Sequence, residues 1–224
     1  MERRTTRRVL PACPTLFTPL QAHPRELLRA GVTGAVAWMK EHVHSLQQLV
    51  ARDDFAVVVS GADLCYHARH SFLDGETIEV DSSTVVHPRG LMIRGDTAFS
   101  SQGQTIATAH AYFRPVRIGE RHSATAKSSA LPPHILTRFL AEEVDPGAYA
   151  RPTRAISRTL EAHGEFLAAG RHPFRLYRSA MDYADQWTFM EACAFASAGR
   201  EELAFRELTD VPQLREALAA PVRQ

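Results

Sequence analysis

The chain has 224 residues, a formal charge of +1 and 45% apolar residues, enough for one large domain or two small ones with a proper core. Near-neutral charge argues against nucleic acid as the main partner, because phosphate binding needs a basic face. No apolar run approaches the roughly 18 residues of a membrane span, so neither nucleic acid nor a membrane is an expected partner.

The opening MERRTTRR carries Arg3, Arg4, Arg7 and Arg8, the only basic run, and reads as a solvated tail. It does not start a signal peptide, since the following VLPACPTLF is short and broken by prolines. RRVLPACPTLF predicts a short strand, and its prolines favour an edge position. From Glu26, the apolar positions Leu28, Val32, Val36, Met39, Val43, Leu46 and Val50 recur every three or four residues. That spacing predicts one long amphipathic helix, with a break near Gly31 and Gly34.

Four strands follow. FAVVVSGADLCYHA is continuous and β-branched, as a buried strand would be. ETIEVDSSTVV alternates after a DG turn signal, and LMIRGDTAFSS lies between the loops HPRG and QGQ. TIATAHAYFRPVRI sets Ala107, Ala109, Ala111 and Phe113 against Thr108, His110, Tyr112 and Arg114. One helix ahead of four antiparallel strands predicts a helix lying across a curved sheet. The sequence thus divides into a sheet domain at 8–118, a small, polar, proline-ended linker at 119–133, and a helical segment at 134–224.

Cys13, Cys65 and Cys193 are far apart and lack a CxxC pair, which predicts reduced core thiols in a cytosolic protein. The eleven histidines do not assemble a metal motif. His42 and His44 diverge on their helix, His67 and His70 bracket a strand end without ligand partners, and HExxH is absent. No GxSxG elbow, Rossmann fingerprint or P-loop is present, so neither metal nor cofactor is expected.

The stretch FRLYRSAMDYADQWTFMEACAFASAGREEL (174–203) turns from alternating to helical, with Asp182 and Asp185 at the change. Backbone N–H groups at a helix start favour negative charge, so a carboxylate there can serve attack on a carbonyl. A plain N-cap is the alternative, although one cap does not require two aspartates. Gln186 is either a carbonyl donor or a surface residue, and Trp187 is core or the wall of an acyl pocket. Glu191 and Glu41, each within a predicted helix, are further catalytic candidates, as is His23 in the loop before the first helix.

YHARHSFLDGETIEVDSSTVV resembles the second and third strands of the hot-dog fold, in which an antiparallel sheet wraps a long central helix. GQTIATAHAYFRPVRI resembles its last strand, so the likeness spans roughly residues 10–118. FRLYRSAMDYAD leading into FMEACAFASAGREEL resembles the strand-to-helix junction of the 4-hydroxybenzoyl-CoA thioesterase-like branch, with Asp182 eighteen residues before Arg200. This chain has Asp185, Gln186 and Trp187 where that branch usually places Gly, His or Asn.

The resemblance implies an α+β hot-dog protein with added C-terminal helices and a hot-dog-like strand–helix unit at 174–206. That unit normally opens a hot-dog domain, yet here only residues 204–224 follow it. It is therefore either a second hot-dog cut down to its first strand and helix, or a permuted completion of the first sheet. By the same resemblance the protein hydrolyses acyl-CoA or acyl-carrier-protein thioesters in fatty-acid-like or polyketide metabolism and forms a homodimer. Asp182 is then the general base or nucleophile, Glu191 or Glu41 matches a helix glutamate used by another branch, and Trp38, Tyr66 and Trp187 contact the acyl group. Two alternatives stay open. One is chemistry at the acyl β-carbon, which needs His23, His42 or His44 close to 182–191; the other is a non-catalytic acyl-binding partner.

Overall fold

The computed structural model describes residues 2–18, 21–118 and 126–145 of a first unit, and residues 154–155, 158–159, 162, 173–175 and 191–207 of a second. In the first unit the predicted edge strand is β1 (Thr6–Pro11), and α1 (Pro24–His42) and α2 (Leu46–Asp53) follow. The four expected strands are β2 (Phe55–Tyr66), β3 (Thr77–Val86), β4 (Ile93–Ser101) and β5 (Gln104–Ile118). These strands and β1 form an antiparallel sheet in the order β1-β3-β4-β5-β2, and α1 lies across β3, β4 and β5.

The alternation on β4 sets which face is which. Ile93, Gly95, Thr97 and Phe99 are buried toward α1, while Arg94, Asp96 and Ala98 face outward. On β5 the predicted inner residues Ala107, Ala109, Ala111 and Phe113 are all buried. Trp38, Met39, Val43 and Leu49 complete this core from the helical side.

The long helix is broken at residues 43–45 and not at its glycines. Gly31 and Gly34 face the sheet, where the absence of a side chain lets α1 approach closely. A Cβ at Gly34 would stand 2.1 Å from the Ser82 hydroxyl, which itself lies 3.3 Å from the Thr97 hydroxyl. The helix ends at His42 because its last carbonyls are taken by side chains: Arg4 donates to the His42 carbonyl and Arg138 to that of Val43. Ser45 and Gln48 then form a reciprocal capping box that starts α2.

The Gly34 contact carries a prediction. Alanine in place of a mid-helix glycine ordinarily stabilises by about 1 kcal/mol. Gly34→Ala is expected to destabilise by about 1–3 kcal/mol instead, because its methyl meets Ser82 in a filled interface. Ser82→Ala in the same chain recovers part of the loss. Urea unfolding of the three variants checks it, and a Gly34→Ala protein more stable than the parent would contradict the close approach.

Two expectations are corrected by long-range contacts. The basic run is not a solvated tail. Arg3 pairs with Asp96, Arg7 clasps Asp81 through two 2.7 Å hydrogen bonds, and Arg8 donates to the Ala30 carbonyl. Arg4 lies over the Trp38 ring and donates to the Arg138 carbonyl. Nor are Cys13 and Cys65 core thiols, for both are exposed.

Residues 126–145, which begin inside the expected linker, belong to the first unit. β6 (Ala126–Ser128) pairs with β5, α3 (Pro133–Leu136) follows, and β7 (Leu140–Ala141) pairs in parallel with β3. Leu131, Ile135 and Phe139 are buried in the main core against Trp38 and its neighbours. The Leu131 N–H donates to the Gly90 carbonyl, and Gly90 has φ +66° with Leu131 N only 3.0 Å from where a Cβ would be. Only glycine meets both conditions there. Val144 then packs on the outer sheet face with Val85, Met92 and Tyr112.

In the second unit, α4 (Glu191–Glu207) has Glu191 in its first turn and Arg206 in its last, and the Phe174 and Phe195 rings lie 4.8 Å apart. The first sheet carries its own central helix, and α4 is a member of the second unit. No helix among the described residues is long and apolar enough to cross a membrane.

Candidate active site

The start of α1 brings together several of the predicted residues. Pro24 occupies the first helical position, and His23 is the N-cap, its Nδ1 accepting the Arg25 N–H at 3.1 Å. The Tyr66 hydroxyl, at the end of β2, donates to the Ala22 carbonyl at 2.7 Å, which fixes it beside His23. Burial holds the His23 ring below the ordinary histidine range, with Arg25 acting in the same direction and Glu26 opposing both. His23 is therefore neutral at pH 7, and with Nδ1 engaged as an acceptor its free chemistry is the Nε2–H donor.

Residues not singled out from the sequence complete this mouth. Phe17 packs against both His70 and Phe72, and the His70 carbonyl accepts the Ala22 N–H at 2.9 Å. The His70 ring is buried, and its Nε2 has no hydrogen-bond partner. The acid in the first turn of α1, Glu26, is paired with Arg29. The mouth thus offers donors and a helix N-terminus, and its carboxylate is already engaged.

No protein-family model matches the sequence, and the search of curated proteins finds no match. Solved structures do match. A 12:0-ACP thioesterase from Umbellularia californica aligns over 87% of this chain and 74% of its own at 10% identity, with a TM-score of 0.63. An acyl-ACP thioesterase from Bacteroides thetaiotaomicron aligns over 86% of this chain and 72% of its own at 11% identity, TM-score 0.56. A 1,4-dihydroxy-2-naphthoyl-CoA thioesterase from Synechocystis covers 60% of this chain and 95% of its own at 17% identity, TM-score 0.49. The first two settle the fold. This is a hot-dog protein.

Within the hot-dog unit, the candidates fall at opposite ends of the central helix. His23 and Tyr66 are at its start. Trp38 and Glu41 are fifteen or more residues on, roughly 22 Å away at 1.5 Å per residue. Trp38 is fully buried, with its indole N–H donating to the Arg4 carbonyl, and Glu41 is exposed and accepts from the Thr6 hydroxyl at 2.8 Å. Glu191 opens α4 in the second unit. Asp182, Asp185, Gln186 and Trp187 lie outside the described residues. No cluster of three or more potential metal ligands is present among the described residues.

The outer face of the hot-dog sheet carries a second set of ionisable groups. Asp96 accepts two hydrogen bonds from Arg94, at 2.7 and 3.0 Å, and one from His110 Nδ1 at 2.7 Å. Glu142 accepts from Arg94 at 3.2 Å, Arg3 reaches Asp96, and Asp63 stands across the β2–β5 register from His110. Three cations therefore meet three acids when His110 is protonated. Burial pushes Asp96 upward, but the hydrogen bonds from His110 and Arg94 outweigh it and hold the carboxyl below its ordinary value. The hydrogen bond to Asp96 raises His110 against the opposing effect of burial, and burial raises Asp63.

The signs give a pH dependence. A raised histidine contributes stability that is complete below about pH 6.5 and is lost as pH rises through its higher folded value. A lowered aspartate contributes above about pH 3.9 and loses that contribution as pH falls through its lower folded value. Asp63, raised in the fold, adds to the loss at rising pH. The cluster is thus most stabilising between about pH 4 and 6.5. Unfolding free energy is expected to fall as pH rises from 6.5 to 9, with a shallower slope in His110→Gln. An NMR titration placing His110 at or below 6.5 would contradict the pairing.

Proposed function

We propose that the protein hydrolyses acyl thioesters carried on coenzyme A or an acyl carrier protein, with Asp182 activating the attack. Water adds to the thioester carbonyl, the carbon–sulfur bond breaks, and a carboxylic acid and a free thiol result. The observation that carries this proposal is the structural likeness to two acyl-ACP thioesterases over 86–87% of the chain, more than the first unit alone can supply. Its second support is the FRLYRSAMDYAD junction, which provides acids that the mouth of the first unit lacks in free form.

On this proposal the strand–helix segment at 174–206 opens a second hot-dog, and Asp182 acts as general base or nucleophile. Asp185, Gln186 and Glu191 are proposed as its helpers in binding and polarising the carbonyl. The protein is proposed to work in the cytosol as a homodimer. In the first sheet β2 is a terminal strand of twelve residues, laddered to β5 alone among the described residues, and exposed strand edges tend to be covered. Light scattering at micromolar concentration tests the dimer. The activity is tested by following thiol release from acyl-pantetheine, acyl-CoA and acyl carrier protein substrates of increasing chain length. Enzyme-dependent release from at least one series is expected; none from any would overturn the proposal.

A further inference from the structure

Cross-strand charges in the first unit meet their opposites at two places in the sheet. Arg7 stands opposite Asp81 between β1 and β3, and His110 opposite Asp96 between β4 and β5. At the far end of β5 this pattern reverses. Arg117 stands directly opposite Lys127 of β6, and Arg114, three residues earlier, is opposite Val58. All three are exposed, and no carboxylate lies within ion-pair distance of any of them among the described residues.

The acids at the adjoining end of α2 do not neutralise the three. Asp53 is held by His134 at 3.0 Å, and Asp54 gives its backbone carbonyl to the Ile118 N–H. Like charges directly opposite one another destabilise a sheet pair. Arg117 is supported only by lying over the Phe55 ring at 5.7 Å. A chain of net charge +1 thus keeps three uncompensated cations together on one face.

We propose that Arg114, Arg117 and Lys127 form the landing face for the acidic surface of the carrier protein that delivers the acyl thioester. The identity of the carrier rests on the hydrolase assignment above; the charge mismatch itself does not. An extended acidic surface fits better than a small phosphate. All three cations are exposed on the flat end of a sheet, whereas recognition of a small anion uses converging, partly desolvated donors. Exposed interfacial charges act mainly on the encounter rate and its salt dependence, so the face steers the carrier without taking part in the chemistry.

The probe is a fluorescein-labelled acyl carrier protein bearing an octanoyl amide in place of the thioester. Its binding to the full chain is followed by anisotropy across a salt series. In Arg117→Glu/Lys127→Glu, binding at low salt is expected to weaken about tenfold or more, with a flatter salt dependence. Arg89→Glu, an exposed arginine at the turn between β3 and β4, is the control and is expected to do neither. Matching melting curves show that the double variant is folded. In turnover, carrier-bound octanoate falls relative to octanoyl-pantetheine by the same factor. Equal binding by the double variant and the parent overturns the proposal, as does a parent that does not bind the carrier. A double variant that loses coenzyme A thioesters yet keeps the carrier reassigns the face to free phosphate and also overturns it. If the parent cleaves no thioester, the hydrolase assignment fails while the anisotropy still decides the landing face.

Discussion

Asp182→Asn lowers turnover of an acyl thioester by about 100- to 10,000-fold, and the protein stays folded. Asparagine keeps the size of the side chain and most of its hydrogen bonds, but it can neither take a proton from water nor attack a carbonyl. It is also nearly as good an N-cap as aspartate, so a residue that only starts a helix would tolerate the change. One substitution therefore separates the two roles. The described part of the molecule raises the stakes, because the acid in the first turn of α1 is already paired with Arg29. Asp185→Asn is the companion variant, with a smaller loss expected. Turnover for Asp182→Asn equal to that of the parent, on a substrate the parent hydrolyses, would remove Asp182 from the mechanism.

The largest stability effect is expected at Trp38. Its side chain is 1% exposed, with the ring 5.5 Å from Phe139 and 5.1 Å from His42, and its indole N–H donates to the Arg4 carbonyl at 2.8 Å. Arg4 lies over the same ring and donates to the carbonyls of His42 and Arg138. Trp38 is therefore the joint at which the N-terminal arm, the end of α1 and the 131–139 segment meet. Trp38→Ala is expected to cost about 3–5 kcal/mol, as truncation of a fully buried aromatic does. Trp38→Phe keeps most of the packing but leaves the Arg4 carbonyl without its donor, at about 1–3 kcal/mol. Urea unfolding measures both. A Trp38→Ala protein of nearly parental stability but altered acyl-chain preference would make Trp38 a pocket wall and not a joint.

What was legible in the sequence was local. Alternation in β3 and β5, the DG turn before β3 and the three-to-four spacing across α1 each reflect contacts repeated along a single element. The central helix and its four strands were therefore readable. The break between α1 and α2 was misplaced because glycine propensity was weighed above a cap. Gly31 and Gly34 serve the helix–sheet approach, while Ser45 and Gln48, three apart, form the capping box that marks the new start. Contacts between distant residues left no local mark. Arg4 and the Arg138 carbonyl are 134 positions apart, so the basic run looked solvated. Leu131, Ile135 and Phe139 do recur every four residues, but a proline-ended polar stretch hid a segment that completes the core.

The candidate site was legible in part. A histidine–proline pair ahead of an apolar helix pattern is a recognisable start, and His23 does cap α1. The placing of Tyr66 beside it depends on a hydrogen bond to Ala22 across 44 positions. His70 gave no periodic or motif signal, because what distinguishes it is burial without a partner for Nε2.

The central claim is hydrolysis at the acyl carbonyl. Its most direct test is the mass of the products formed in oxygen-18 water from two substrates, an octanoyl thioester and the matching 2-enoyl thioester. Hydrolysis predicts free thiol from both, octanoic acid carrying one heavy oxygen, and an enoic acid carrying one heavy oxygen with its double bond intact. An enoyl thioester that gains the mass of water while its carbon–sulfur bond survives, or thioesters that both remain unchanged, would contradict it.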